Sequence, residues 1–109
     1  MARQDALQGS LPLLVLTLLA RRGALHGYGI ATAIEGMSDE TLRCQEGSLY
    51  PALHRLEEAG WIKARWKTTG TGRRARVYEI TVRGRHQLET EEARWKAITA
   101  AVGKILKHA

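Results

Sequence analysis

Apolar residues in the first part of the chain recur at helical spacing. In the segment Leu11–Ala20 they fall at i, i+3, i+4, i+7 and i+8, which predicts a helix over these residues. Ser10 offers an N-cap and Pro12 is tolerated in a first turn. Because this helix is apolar around nearly its whole circumference, we expect it to be buried on two sides, most easily with a partner subunit.

Two further helices follow. The segment His26–Ile30 opens a short second helix that ends at Gly36, and Ser48 offers an N-cap for a third helix, Leu49–Ala59. The inward face of the third helix is predicted to be Leu49, Ala52, Leu53 and Leu56. Its opposite face presents Gly47, Tyr50, Pro51 and His54, again at helical spacing.

After Gly60 the apolar period changes from helical spacing to two. Trp61–Lys67 and Arg76–Ile80 each alternate apolar and polar residues, which predicts two paired strands. Residues 68–75, rich in Gly, Thr and Arg, form the basic tip that joins the strands. The sequence therefore predicts a β-hairpin after the third helix.

A last helix runs from a cap at Thr81 to the C-terminus. Its apolar residues repeat in heptads, with Leu88, Trp95 and Val102 at a positions and Ile98 and Ile105 at d positions, although Glu91 interrupts the first d position. Such a seam indicates that residues 82–109 pack against a partner helix.

This order of elements is mainly α with a small β-hairpin, and is typical of a winged helix-turn-helix with an added C-terminal helix. We therefore expect residues 1–81 to form the winged helix-turn-helix domain, with its N-terminal helix at 11–20, and residues 82–109 to form a dimerisation helix.

The net charge of +6 on 109 residues is concentrated in one segment. Between Trp61 and His86 eight cationic side chains stand against one acid, a net +7, whereas the remaining nine cations and ten acids give −1. A solvated charged hairpin would explain this segment, but such a one-sided distribution favours an electrostatic footprint for a polyanion.

The two predicted surfaces suit double-stranded DNA. Side chains of moderate size on the third helix can contact base edges in a major groove; these are Ser48, Tyr50, Pro51 and His54. Cations of the hairpin, Lys67, Arg73, Arg74 and Arg76, can contact phosphates. Winged helices also bind RNA and proteins, so this pattern alone leaves those partners, and a small-molecule sensor acting through a partner protein, as alternatives.

Length and cysteine content exclude other classes of protein. The chain is too short for a large two-domain enzyme, and Leu11–Ala20 is about half of a membrane span and a poor signal peptide. Cys44, the only cysteine, permits no internal disulfide or Cys-pair metal site, and we expect a cytoplasmic protein without a metal or cofactor. Arg43 could activate Cys44 as a redox sensor, but without a resolving cysteine an inert thiol is favoured.

The residues Leu14–Glu35 and Gly47–Ile62 resemble the PadR family of bacterial transcriptional regulators. The pattern Gly-Ser-Leu-Tyr-Pro-x-Leu-x-x-Leu-Glu-x-x-Gly, which starts at Gly47, carries most of this resemblance. Arg74–Gly84 also looks like the family's wing strand, whereas Trp61 and the tip Gly70–Gly72 depart from the family.

The resemblance implies a homodimeric repressor of the short subfamily and not an enzyme. In similar proteins the first and last helices hold the dimer, so the expected dimerisation residues are Leu11, Leu14, Leu18, Leu88, Trp95, Ile98, Val102 and Ile105. Related regulators can hold planar apolar effectors between subunits, which makes Trp95 a candidate effector contact, although plain interface core is the commoner role.

Three residues on or near the turn motif have competing interpretations. Tyr50 is either a DNA contact or a packing residue. Tyr28 resembles the conserved tyrosine that the PadR family has at this position, and helix packing is its favoured interpretation. His54 lacks a second ligand at zinc spacing. Ser48, His54 and Glu57 are close in the sequence but are not expected to align as a catalytic triad.

Overall fold

Helices and a small antiparallel sheet make up the described part of the chain. The computed structural model describes the backbone of residues 2–109 and the side chains of residues 9–109. The elements in chain order are α1 (Ala2–Arg22), β1 (Leu25–His26), α2 (Gly27–Met37), α3 (Glu46–Glu58), β2 (Ile62–Thr68), β3 (Arg74–Ile80) and α4 (Val82–His108). The strand order is β1-β3-β2. This arrangement confirms the predicted mainly helical winged helix-turn-helix with a long last helix.

Helix α1 begins at Ala2, so the predicted start at Leu11 and the predicted cap at Ser10 are wrong. Residues 2–8 are mostly Ala, Arg, Gln and Leu, which are strong helix formers and continue the helix toward the N-terminus. Pro12 lies inside the helix. It removes one backbone hydrogen bond, a cost that burial of the following apolar turns offsets.

The apolar residues of α1 are mostly buried within the single chain. Because α2, α3, β3 and α4 all pack against this helix, no partner subunit is needed to bury the apolar side chains of its described part, Leu11, Val15, Leu16, Leu18 and Leu19. Leu11 and Leu18 are 0% and 6% exposed, so they belong to the subunit's own core and are removed from the expected dimer interface. Leu14 is half-buried against the same core.

Helix α3 begins at Glu46, so the predicted cap at Ser48 is also wrong. Gln45 occupies the N-cap, where its carbonyl accepts hydrogen bonds from the N–H groups of Ser48 (3.0 Å) and Leu49 (2.9 Å). Glu46 in the first turn favours this earlier start, because a carboxylate there interacts well with the helix dipole. The predicted inward face is confirmed: the buried residues of α3 are Leu49, Ala52, Leu53 and Leu56.

The hairpin is longer than predicted and its tip is shorter. The β2–β3 register runs from Ile62↔Ile80 to Thr68↔Arg74, and the tip closes with a 2.7 Å hydrogen bond from the Thr69 N–H to the Arg73 carbonyl. The two-residue strand β1 pairs with the other side of β3. A strand this short has no detectable period in the sequence, and it was not predicted.

Helix α4 leaves the sheet through a tight junction. The Thr81 hydroxyl accepts a hydrogen bond from the Gly84 N–H (3.0 Å), as the predicted cap requires, and donates to the Gly60 carbonyl (2.7 Å). A Cβ at Gly84 would collide with the carbonyl oxygen of Trp61 and lie 2.8 Å from Ile80 Cγ1. Only glycine therefore allows α4 to approach the α3–β2 turn this closely.

We predict that alanine has opposite effects at two glycines of α4. Gly84→Ala should lower the free energy of unfolding by about 2–3 kcal/mol, because the backbone has to shift. A Cβ at Gly103 meets no atom within 4 Å, so Gly103→Ala should raise the free energy of unfolding by about 0.5–1 kcal/mol. Urea denaturation at a fixed protein concentration measures both. Equal effects would contradict the close approach at Gly84.

Candidate nucleic-acid interface

The outward face of α3 carries most of the residues predicted to contact bases. Tyr50, Pro51 and His54 are exposed, whereas Ser48 in the first turn is half-buried. The His54 side chain is 73% exposed, and its Nε2 lies 3.4 Å from Glu58 Oε1, one turn along the helix. The helix thus presents small and polar groups to solvent opposite its buried leucines.

Tyr50 is both a packing residue and an exposed one. Its ring lies so close to the first turn of α2 that a Cβ at Gly27 would be 2.7 Å from the hydroxyl oxygen. The residue is nevertheless 43% exposed. Glycine at position 27 therefore lets Tyr50 rest on α2 while its remaining surface faces solvent.

The cationic side chains of the hairpin differ in how they are partnered. Arg65 pairs with Glu79 across the strands (2.6 Å), and Arg76 pairs with Glu57 (3.0 Å). Lys67 and Arg73 are exposed, and neither forms an ion pair with an acidic side chain in the described part of the chain. Arg74 is exposed and lies over the ring of Trp66, 5.0 Å from its centroid.

The Arg76–Glu57 pair joins the hairpin to α3. Arg76 Nη2 donates to both carboxylate oxygens of Glu57, at 3.0 Å and 3.3 Å. Arg76, predicted as a phosphate contact, thus already holds an acidic partner on α3. This contact also places the cationic hairpin directly beside the exposed face of that helix.

Trp66 was not singled out by the sequence. Trp66 lies on the same strand face as Ile62, and Lys63, Arg65 and Lys67 lie on the opposite face. Ile62 is 2% exposed, whereas Trp66 is 57% exposed. The strand extends past the core before it reaches Trp66. Period-two alternation shows which residues share a face and does not show where that face stops being covered.

The second half of α4 carries an apolar row that remains largely exposed among residues 9–109, whose side chains the structure describes. Trp95, Ile98, Val102 and Ile105 are 48–65% exposed, and Leu106, which the heptad pattern did not include, is 80% exposed. Leu88 instead packs against the core, half-buried. The predicted seam therefore begins with Leu88, which packs against the core, and continues with residues that are exposed to solvent.

A cavity of about 290 Å³ lies between α1 and α4. Trp95 and Ile98 contribute to its wall from α4 and Leu13 contributes from α1. Glu91, which interrupts the seam, lies at this cavity and accepts a 3.1 Å hydrogen bond from the Gln87 side chain. The candidate effector residue Trp95 thus borders a mostly apolar space.

Cys44 and Tyr28 have environments that decide between their competing roles. Burial raises the pKa of the Cys44 thiol, and the nearby Glu35 carboxylate raises it further, so the reactive thiolate needed for redox sensing is disfavoured. Tyr28 is 71% exposed and stacks with His26 at 6.4 Å between ring centroids, so its interpretation as a helix-packing residue is wrong.

The side chains considered for a catalytic triad are engaged in other contacts. His54 lies against Glu58 and Glu57 binds Arg76, so these residues do not form a triad with Ser48. Among the described residues, no cluster of three or more His, Cys, Asp or Glu side chains could hold a metal ion. No helix within residues 2–109 has the length and apolar character of a membrane span.

Solved structures similar to this chain include several transcriptional regulators. A regulator from Clostridium thermocellum is 30% identical with a TM-score of 0.83, and the match covers 92% of this chain and 93% of that one. A PadR-like regulator from Bacillus cereus is 26% identical with a TM-score of 0.80, over 96% and 99% of the two chains. Bacillus subtilis PadR, solved in complex with operator DNA, is 29% identical with a TM-score of 0.65, over 73% of this chain and 45% of PadR.

The family comparison agrees with these structures. Residues 15–90, which include all of α2, α3 and the hairpin, match the model of the transcriptional regulator PadR-like family. The match confirms the predicted resemblance and the prediction that the chain is not an enzyme. The chain therefore belongs to the PadR-like family of transcriptional regulators.

Proposed function

We propose that this regulator is a homodimeric repressor that binds a near-palindromic operator. In each subunit α3 enters a major groove and the β2–β3 hairpin follows the flanking phosphate backbone. The observation that carries this proposal is the Arg76–Glu57 contact, which holds the cationic hairpin beside the exposed face of α3. The operator complex of Bacillus subtilis PadR, a structural relative, supports DNA as the partner.

The proposal gives the exposed residues separate tasks. Ser48, Tyr50, Pro51 and His54 contact base edges and provide sequence preference. Lys67, Arg73 and Arg74 contact phosphates and provide affinity without sequence preference. Arg76 would have to exchange its Glu57 partner for a phosphate, because its guanidinium is bound to Glu57 in the free protein.

The dimer forms through the apolar row of α4. Trp95, Ile98, Val102 and Ile105 follow heptad spacing and remain about half exposed or more in the single chain, as an unpaired coiled-coil seam would. Leu14 and Leu88 are partly buried against the core and contribute only their remaining exposed surface to this interface. Residues 82–109 then act as the dimerisation helix of a DNA-binding domain formed by residues 1–81.

Two-fold symmetry sets the form of the operator. Two copies of α3 read inverted half-sites whose centres lie about one helical turn of DNA apart. Binding by such a dimer at a promoter represses transcription. The protein acts in the cytoplasm, where its operator DNA is located.

A planar apolar effector is the second part of the proposal. The cavity beside Trp95 lies between α1 and α4, where a ligand would change how α4 is held. Because α4 sets the angle between the two DNA-binding domains, ligand binding or loss would change the match to the half-site spacing. The chain would then sense a ligand and release DNA.

Selection of bound fragments from a pool of random double-stranded DNA tests the DNA assignment. An enriched inverted repeat is the expected result. Failure to enrich any repeat would contradict the operator proposal and favour an RNA- or protein-binding winged helix, or a sensor that acts through a partner protein.

We predict that the hairpin and α3 contribute differently to binding. The Arg73→Ala, Arg74→Ala double variant should bind every duplex more weakly, and the slope of log K against log salt should fall by about 0.9 for each phosphate that is no longer neutralised. His54→Ala should keep this slope and lower discrimination between selected and random duplexes by about 1–3 kcal/mol. Fluorescence anisotropy at several KCl concentrations measures both.

A matched control for the double variant is Lys104→Ala with Lys107→Ala, which removes two cations from the far end of α4. This control should keep the salt slope of the unmodified chain. Wild-type affinity of the Arg73, Arg74 variant at every salt concentration would contradict the proposed phosphate contacts.

We predict that a charge in the apolar row of α4 separates the subunits. Val102→Glu buries a carboxylate in the proposed seam, where it has no partner, so the chain should sediment as a monomer and bind operator weakly. Lys104→Glu, nearby on the exposed surface of the same helix, is the control and should remain dimeric. Sedimentation equilibrium gives the mass of each, and a dimeric Val102→Glu variant would refute this interface.

We predict that a flat aromatic compound quenches Trp95. Titration with acridine should decrease tryptophan fluorescence in the unmodified chain, because the compound enters the cavity beside that ring. Trp61 and Trp66 remain as fluorophores in Trp95→Ala, which should lose most of the response. An unchanged response in Trp95→Ala would rule out the cavity as the effector site.

A further inference from the structure

The strand register explains why Trp66 meets Arg74. Trp66 lies opposite Arg76, and Thr68 lies opposite Arg74, so Trp66 and Arg74 are diagonal neighbours on one face of the hairpin. Arg76 is turned to Glu57 on α3. The guanidinium over the Trp66 ring is therefore that of Arg74, 5.0 Å from the centroid.

A ring and a carboxylate hold an arginine in different ways. Glu79 and Glu57 engage N–H donors of Arg65 and Arg76 and neutralise their charges. An aromatic ring contacts the guanidinium through its face, so the N–H donors at the edge and the positive charge remain available. Arg74 is thus restrained but keeps the positive charge and the N–H donors that a phosphate contact requires.

We propose that Trp66 is a positioning residue for DNA binding, which holds the Arg74 guanidinium in place at the start of β3 for a phosphate contact. This inference rests on the proposed DNA-binding function. The restraint lowers the side-chain entropy that Arg74 loses on binding. Trp66 therefore contributes to DNA affinity although it carries no charge and touches no phosphate.

The probe for this role is a labelled mixed-sequence duplex of about 30 base pairs, long enough for two half-sites. An arbitrary sequence suffices, because phosphate contacts act on every duplex. The dissociation constant is measured by fluorescence anisotropy against KCl concentration for the unmodified chain, Trp66→Leu, Trp66→Phe, Arg74→Gln and the Trp66→Leu, Arg74→Gln double variant.

Trp66→Leu is expected to weaken binding about two- to five-fold per subunit, the equivalent of one exposed cation–π contact. The salt slope should stay close to that of the unmodified chain, because an unrestrained Arg74 keeps its charge and can still neutralise a phosphate. Arg74→Gln removes that charge and should reduce the slope. The double variant should bind no more weakly than Arg74→Gln alone, and Trp66→Phe should retain most of the affinity.

Other results overturn the inference in distinguishable ways. If Trp66→Leu leaves affinity and slope unchanged while Arg74→Gln weakens binding, Trp66 has no role and the DNA assignment stands. A weakening in Trp66→Leu that adds to that of Arg74→Gln in the double variant means that Trp66 contacts DNA itself. If Arg74→Gln has no effect, both this inference and the proposed phosphate contact at Arg74 fail. Urea denaturation of each variant shows whether weaker binding reflects unfolding.

Discussion

The burial of one face of α3 determines how the rest of the molecule can meet DNA. Leu49, Leu53 and Leu56 are 0–3% exposed, and each such leucine stabilises the fold by about 1.5–3 kcal/mol. A rotation of α3 about its axis would expose these leucines and bury the imidazole of His54. The core thus fixes which residues face outward, and the outward face needs no stabilising interactions of its own.

Apolar packing stabilises the hairpin, and an ion pair to α3 influences where the hairpin lies. Ile62 and Tyr78 are buried in the core cluster, and they anchor the inner ends of the strands. The Arg76–Glu57 pair is partly exposed, with side chains 48% and 24% accessible, and an ion pair of this kind contributes about 0–1 kcal/mol. Its effect is therefore on where the hairpin lies relative to α3, and much less on whether the hairpin forms.

The sequence predicted features that depend on spacing and missed those that depend on neighbours. The inward leucines of α3 and the cap at Thr81 follow from local pattern and were correct. Ser48 has good capping chemistry, but the helix starts at Glu46, because caps at neighbouring positions differ by little energy. For another reason Leu18 was wrongly assigned to the dimer interface and the exposure of Trp66 was missed: apolar spacing identifies a face, and only the packed chain shows what covers it.

The junction at Gly84 connects the two halves of the proposed function. Because α4 is pressed against the carbonyl of Trp61, its direction is set by the turn that ends α3. From Gly84 to the apolar row around Ile98 is about 20 Å of helix. A rotation of α4 by about 10° over that length displaces its far end by about 3–4 Å, close to the spacing of adjacent base pairs. In the proposed dimer, a ligand that alters the packing of α1 on α4 therefore changes half-site spacing without contacting α3.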